Sequence, residues 1–248
     1  VFVAASTECF PDLPPADVLE LLAELEYTAV EFPIHESGGW LRPSQVHDDL
    51  DRSIHFCRDT HRLDIAALSI EPATGPDYYA QFAACCRLAK AIKVVTLVVP
   101  AAELGTPFNE EIERLRKLVE IASLEGAVVG VKTQIGHMTQ DPDTAVVLCD
   151  NVKRLRLTLD PSHYVTGPHQ GGKIDKVMKY AQHVHLRDST KDKLQVRVGQ
   201  GEIDYGKLIG QLAKVGYDRA LTVDMRPLAD IDHRAEMRKM RLLLESLL

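Results

Sequence analysis

The sequence predicts a closed (β/α)8 barrel forming one domain over residues 1–248, and three observations carry that expectation. Short β-branched runs alternate with amphipathic helical patterns along the whole chain, the mark of a parallel sheet wrapped in helices. The runs number eight, so 248 residues give 31 per unit, close to the ~30 of one strand-crossover-strand block. No glycine-rich dinucleotide loop follows the first strand and nothing is left over for a second domain, which weighs against an open doubly wound sheet.

Taken in order, the strands are expected to begin near Phe2, Ala29, Asp64, Val94, Val128, Arg156, His183 and Ala220. The run from Val94 to Val99 is apolar without strict alternation, as suits a strand covered on both faces. Val18, Leu19, Leu21, Leu22 and Leu25 mark one helix stripe, and Val46, Leu50, Ile54 and Cys57 mark a second at helical steps. Leu208, Ile209, Leu212 and Val215 repeat the pattern, as do Met237, Met240, Leu243, Leu244 and Leu247 in the last helix. Pro14 and Pro15 open the first helix, Pro142 follows the loop of the fifth strand, and Gly216 closes the helix before the last strand.

Composition narrows the function. With 45% hydrophobic and 26% charged residues the chain is an ordinary globular protein able to bury roughly 70% of its surface. Lys plus Arg at 29 against Asp plus Glu at 36 leaves a net charge of −7, which repels phosphate polymers and anionic bilayers. Neither nucleic acid nor membrane is an expected partner. The five cysteines are odd in number and lack CxxC spacing, which fits a reducing cytoplasm, and Cys85-Cys86 reads as helix packing. No apolar stretch approaches the ~18 residues of a bilayer span. The chain opens at Val1 without Met, almost directly into a strand, which points to a short leader removed or left out.

In such barrels the reacting groups sit at the C-terminal ends of strands. Strand two ends in Glu31, with His35 and Glu36 beyond, and strand three in Glu71. Strand five ends in Lys132, Thr133 and Gln134, with His137 just past, and strand six in Asp160 and His163. Strand seven carries His183, His185 and Asp188, and strand eight Asp224 and Arg226. Any one of these has a bland account: a strand-end Asp caps the next helix and a lone His satisfies a local hydrogen bond. Convergence on one mouth reverses that account, because burying so many ionisable groups without purpose would cost several kcal/mol. His47, His55 and His61 fall on or beside the second helix stripe and read as surface imidazoles.

The second half is the specific part. It runs Leu159-Asp160-Pro161-Ser162-His163, then His183-Val184-His185-Leu186-Arg187-Asp188, then Gly199-Gln200-Gly201, and finally Gly216-Tyr217-Asp218 before Leu221-Thr222-Val223-Asp224. In combination these pieces resemble the sugar phosphate isomerase/epimerase family, the xylose isomerase-like TIM barrels that also include endonuclease IV-type repair enzymes. The resemblance spans essentially the whole chain. It implies a divalent metal (manganese, magnesium, cobalt or zinc) held by Glu, Asp, His and Glu from strands five to eight. It implies also proton transfer next to the carbonyl of a sugar or polyol. No nucleotide cofactor is expected. Asp160 and His185 match the metal ligands, Asp224 stands where the last Glu belongs, and Lys132 stands where the first does. His163 and Lys191 occupy offsets that the resemblance gives to substrate contacts, and Glu31, His35, His137, Asp188 and Arg226 are further expected binders. Trp40, in the loop from Pro33 to Pro43, either stacks on a sugar face as part of a lid or anchors the loop to its own barrel.

Lys132 departs most from the pattern. An ammonium with the Asp160 and Asp224 carboxylates has the same net charge as three carboxylates around a dication, so Lys132 is expected to replace the ion. Seating both would bring an illustrative repulsion of about 8 kcal/mol at about 4 Å and an effective dielectric near 20. Metal binding then needs Lys132 to swing away, lose its proton or be carbamylated; alternatively it points out of the mouth and Gln134 or His137 lies inside. Asp224 is one methylene shorter than Glu, and a retraction of roughly 1.5 Å costs about a hundredfold in a positioned proton transfer. The expected machinery is therefore Lys132 as electrophile with Asp224, Glu71 or His163 as base. Two other readings stand beside it, a non-catalytic carbohydrate-binding or regulatory barrel and a Schiff-base lyase acting through Lys132. The expected partner is a small sugar or polyol, with a homo-oligomer left open. DNA repair is excluded by the acidic charge and by too few mouth histidines.

Overall fold

The computed structural model describes residues 1–170 and 174–248 and closes eight parallel strands into one barrel in sequence order. The strands are β1 (Phe2–Ser6), β2 (Ala29–His35), β3 (Asp64–Glu71), β4 (Thr96–Val99), β5 (Val128–Lys132), β6 (Arg156–Leu159), β7 (Ala181–Leu186) and β8 (Ala220–Val223). The helices around them are α1 (Pro15–Glu24), α2 (Pro43–Asp48), α3 (Leu50–Arg58), α4 (Tyr78–Ala91), α5 (Phe108–Leu124), α6 (Pro142–Asn151), α7 (Pro161–Thr166), α8 (Asp175–Met178), α9 (Tyr205–Lys214) and α10 (His233–Glu245). Among the described residues no helix is long and apolar enough to cross a membrane.

Six strands begin where the sequence places them, and the other two differ for local reasons. Lys93 adopts a left-handed φ of 64° and the Val94 amide donates back to the Ala89 carbonyl at 2.8 Å, so the α4 terminus consumes Val94 and β4 opens at Thr96. On β7, Ala181 already pairs with Leu157, and an irregularity in register then brings His183 opposite Thr158. The second apolar stripe, read as one helix, is two. Asp49 ends α2 with a φ of −144°, and its carboxylate accepts the Arg52 amide at 2.9 Å to open α3. Pro15 and Pro142 open α1 and α6, and Gly216 follows α9 with a φ of 74°, the conformation a side chain disfavours.

Alternation along β2 shows how the layers form. Val30, Phe32 and Ile34 join the apolar layer shared by strands and helices, while Ala29, Glu31 and His35 take the opposite face. A small cluster of Ala4, Ala29 and Ala220 packs at the N-terminal end of the barrel. Above it the interior turns polar, where such barrels usually carry bulky branched aliphatics. Gln182 Nε2 donates to Thr96 Oγ1 at 3.1 Å between two strands that are not neighbours, and a charged layer follows.

Candidate active site

Glu31 leaves the middle of β2 and is 2% exposed. Its Oε2 accepts from His183 Nε2 at 2.7 Å and from His185 Nε2 at 2.8 Å, both on β7. Thr222 Oγ1 on β8 lies 3.0 Å from the same His183 nitrogen, and the two imidazoles meet edge-on at 5.3 Å. Burial alone would push the carboxyl toward neutrality. The charge of His185 and the hydrogen bonds from both imidazoles outweigh it and hold Glu31 well below the usual carboxylate range. The imidazoles divide. Burial keeps the His183 pKa below its ordinary value despite Glu31, whereas at His185 burial is overcome by Glu31 and Asp224 and the pKa rises.

Toward the mouth, Asp160 and Asp224 at the ends of β6 and β8 share one cation, Arg187, which follows β7. Arg187 Nη2 donates to Asp160 Oδ2 at 2.8 Å and to Asp224 Oδ2 at 2.7 Å. Asp160 also caps α7, its Oδ1 accepting from the Ser162 amide at 2.9 Å and from the Ser162 hydroxyl. Burial opposes ionisation of both carboxyls, but Arg187 above all holds them below the usual range, with His163 aiding at Asp160 and His185, Arg226 and Lys132 at Asp224. Two atoms here have no hydrogen-bond partner among the described residues although they are buried: Asp224 Oδ1 and Arg187 Nε. The Arg226 guanidinium stands 3.7 Å from that Asp224 oxygen.

These groups line a cavity of about 220 Å³ together with Lys132, Thr133, Gln134, His163 and Leu194. That is below the ~300–1,000 Å³ of drug-sized sites, so the cavity suits a small molecule. Lys132 ends β5, and its charge helps lower the pKa of His163 and Asp224 and opposes the rise at His185. Among the described residues no carboxylate oxygen lies within 4.0 Å of its Nζ. His163 Nδ1 accepts the Ile135 amide at 3.2 Å, which puts the proton of the neutral ring on Nε2, 3.6 Å from Asp160 Oδ2. Burial, seconded by Arg187 and Lys132 against the pull of Asp160, lowers the His163 pKa and favours that neutral ring.

The sequence-expected residues thus separate. Lys132, Asp160, His163, His185, Asp224 and Arg226 line one cavity, with Glu31 bound to His185 beneath it. The others stand apart from the cavity lining. Glu71 is half-buried at the end of β3, its carbonyl accepting the Glu36 amide at 3.0 Å. His35 Nε2 is 3.0 Å from Ser69 Oγ, and His137 Nδ1 donates to the Ala101 carbonyl at 2.6 Å, tying two loops. Trp40 packs edge-on against Phe32 at 5.1 Å, on the helix side of β2, which is the anchoring arrangement. Asp188 holds its own loop: its carboxylate accepts the amides of Ser189, Gly199 and Gly201 at 3.2, 2.7 and 2.9 Å. A Cβ on Gly201 would fall 1.8 Å from Asp188 Oδ1, so only glycine admits this contact. Lys191 is exposed. Arg226 is at the rim, donating to the Glu8 carbonyl and to Glu8 Oε2 at 3.2 Å.

The sequence reading gave the cation between the aspartates as Lys132, whereas the structure seats Arg187 there and leaves Lys132 beside it. The signal was present: His183, His185 and Arg187 are spaced by two, so a strand that turns both imidazoles inward turns the guanidinium inward as well.

A divalent metal is what the fold's resemblance implies, and two groups of described residues bring enough donors together for one, Asp160-His185-Asp224 and Glu31-His183-His185. The first group does not fit an ion as it stands. One oxygen of each aspartate is taken by Arg187, the other oxygen of Asp160 is taken by Ser162, and β5 supplies an ammonium instead of a fourth donor. In the second group the would-be ligand atoms already satisfy one another as hydrogen bonds.

Comparison with known proteins agrees on the architecture. The family model for xylose isomerase-like TIM barrels matches residues 19–243. An uncharacterized protein of Methanocaldococcus jannaschii is 19% identical over 241 residues, covering 92% of this chain and 75% of that one. Among solved structures, a xylose isomerase-like TIM barrel protein from Mycobacterium smegmatis in complex with magnesium superposes with a TM-score of 0.77 at 17% identity, covering 99% of this chain and 97% of that one. A D-tagatose 3-epimerase-like protein gives 0.74 at 17% identity, covering 100% and 98%. Identities this low show a shared fold.

Proposed function

We propose, for a chain that belongs to the xylose isomerase-like TIM barrel family, a proton transfer next to the carbonyl of a small polyhydroxylated substrate, carried out with side-chain cations in place of a divalent ion. The observation that carries this reading is the Arg187 guanidinium bridging Asp160 and Asp224 at 2.8 and 2.7 Å. Its unpartnered Nε–H is a donor for the oxygen on which negative charge develops, in a buried setting where such a donor is worth more than in water. His163 Nε2–H is a second donor at the cavity wall. Asp224 Oδ1, the carboxylate oxygen without a hydrogen bond, is the base. It is a weak one, because Arg187 keeps its pKa low, and an efficient base sits nearer the working pH. That single fact favours a second reading, a barrel that binds its ligand without turning it over.

The two readings separate in deuterium oxide. Ketoses and inososes incubated with protein and excess chelator should acquire deuterium at the carbon next to the carbonyl. The rate should fall at least a hundredfold in Arg187→Met. Incorporation that needs added magnesium or manganese and vanishes with chelator would sink the metal-free mechanism. Saturable binding with no incorporation selects the binding protein.

A further inference from the structure

We infer that the cavity is built for an anionic ligand, a sugar acid or keto acid whose carboxylate is held by Lys132. The inference rests on the reading of the mouth as a polyol site and names its substrate class. Among the described residues three cations line the cavity, Lys132, Arg187 and Arg226, with two carboxylates, Asp160 and Asp224, and a third, Glu8, meets Arg226 at the rim. Arg187 is engaged by both aspartates at 2.8 and 2.7 Å. Arg226 turns to Glu8 at 3.2 Å on the rim, with Asp224 at 3.7 Å. Lys132 is the one left without a carboxylate within 4.0 Å among the described residues, although its charge is felt by Asp224, His163 and His185. Counted with Glu8 the cluster is balanced, so what is left for a ligand is the unpartnered ammonium itself, at the mouth of a chain whose net charge is −7.

Two further features fix the kind of anion. The group left without a partner is one ammonium, which matches one carboxylate; a phosphate carries about two negative charges at neutral pH. The cavity of about 220 Å³ favours a compact acid over a phosphorylated hexose. The unpartnered Arg187 Nε–H and Asp224 Oδ1 then remain for the carbonyl and hydroxyl groups of the same molecule, one donor and one acceptor for the polyol part.

The experiment uses matched pairs that differ in one terminal group: D-fructuronate against D-fructose and D-tagaturonate against D-tagatose, with D-fructose 6-phosphate as a third arm. Dissociation constants come from calorimetry on the wild-type chain and on Lys132→Met, which keeps the stem and removes the charge. At least tenfold tighter binding of the keto acids is expected, weakening with added salt, and the preference should shrink to below threefold in Lys132→Met. Equal affinity for acid and neutral partner, a preference for the phosphate, no binding by either keto acid, or a preference that survives Lys132→Met would each overturn the assignment. Deuterium incorporation is followed in the same samples. Neutral ketoses that exchange while the acids show no advantage would overturn the charge assignment and leave the proton-transfer reading standing; keto acids that bind tightly without exchange would do the reverse.

Discussion

The barrel holds two charged layers that share His185 and differ in how completely their polar atoms are used. Around Glu31 every nitrogen that faces the carboxylate donates to it, within 2.7 to 2.8 Å, and the groups are almost wholly withdrawn from solvent. Around Arg187 the pairing is as close, yet among the described residues one oxygen of Asp224, the Arg187 Nε and the Lys132 ammonium are left over. A buried polar group without a partner costs about 1–3 kcal/mol, so a fold retains such groups where a ligand completes them. On the proposed reading the inner layer is scaffold and the outer layer receptor, although both consist of carboxylates and cations.

The strongest way to break that division is at Glu31. Glu31→Gln removes the anion that both imidazoles address and leaves the charge on His185 without its main partner. Breaking a buried pair from one side costs about 3–5 kcal/mol, a large part of a normal stability margin. Urea titration should show a midpoint lowered accordingly, and a loss below about 1 kcal/mol would place Glu31 outside the scaffold.

A smaller effect, of opposite diagnostic value, is expected in acid. Asp224 has a folded pKa depressed below its unfolded value, chiefly by Arg187 against the effect of burial. Its contribution is therefore complete above about pH 4 and is lost as the pH falls toward the folded value. It amounts to roughly 2 kcal/mol for a pair of this kind. Asp224→Asn should accordingly flatten the loss of stability below about pH 4 by up to one proton, about 1.4 kcal/mol per pH unit, as read from denaturation midpoints taken between neutral pH and pH 3. An unchanged slope would mean that the carboxylate is not paired in solution. A carboxylic acid ligand should protect the wild-type protein over the same range until it is itself protonated.

What could be read from the sequence follows the range of the interactions involved. Strand starts and helix faces depend on neighbours a few residues away, and six of eight starts stand where β-branched runs begin. The exceptions arise where a helix terminus closes over the next residues, as at Lys93 and Val94, or where a capping aspartate divides one stripe, as at Asp49. The mouth was legible as a list of residues at strand ends, because barrel topology alone brings the ends of β5 to β8 together. Which cation meets which carboxylate was not. Arg187 reaches Asp160 and Asp224 over separations of 27 and 37 residues, and the choice between it and Lys132 depends on side-chain reach and not on spacing. Asp188 shows the same limit: its strand-end position suggested substrate, while the neighbouring Ser189 amide and two amides of the Gly199–Gly201 turn use up its oxygens.

The smallest effect concerns the first half of the mouth, where polar and aromatic residues serve packing. Trp40 meets Phe32 edge-on at 5.1 Å, and Phe32 is turned away from Glu31 by the alternation of β2, so the indole belongs to the layer between strands and helices. An aromatic pair of this geometry is worth about 0.5–1.5 kcal/mol beyond the area it buries. Trp40→Leu should therefore lower stability by roughly 1 kcal/mol and leave ligand affinity at Lys132 and Arg187 unchanged within twofold. In the wild-type chain, saturation with a keto acid should leave the Trp40 emission maximum in place. A shift on saturation, or affinity lost with the indole, would move this loop from the scaffold to the receptor and extend the site from the second half of the barrel to the whole mouth.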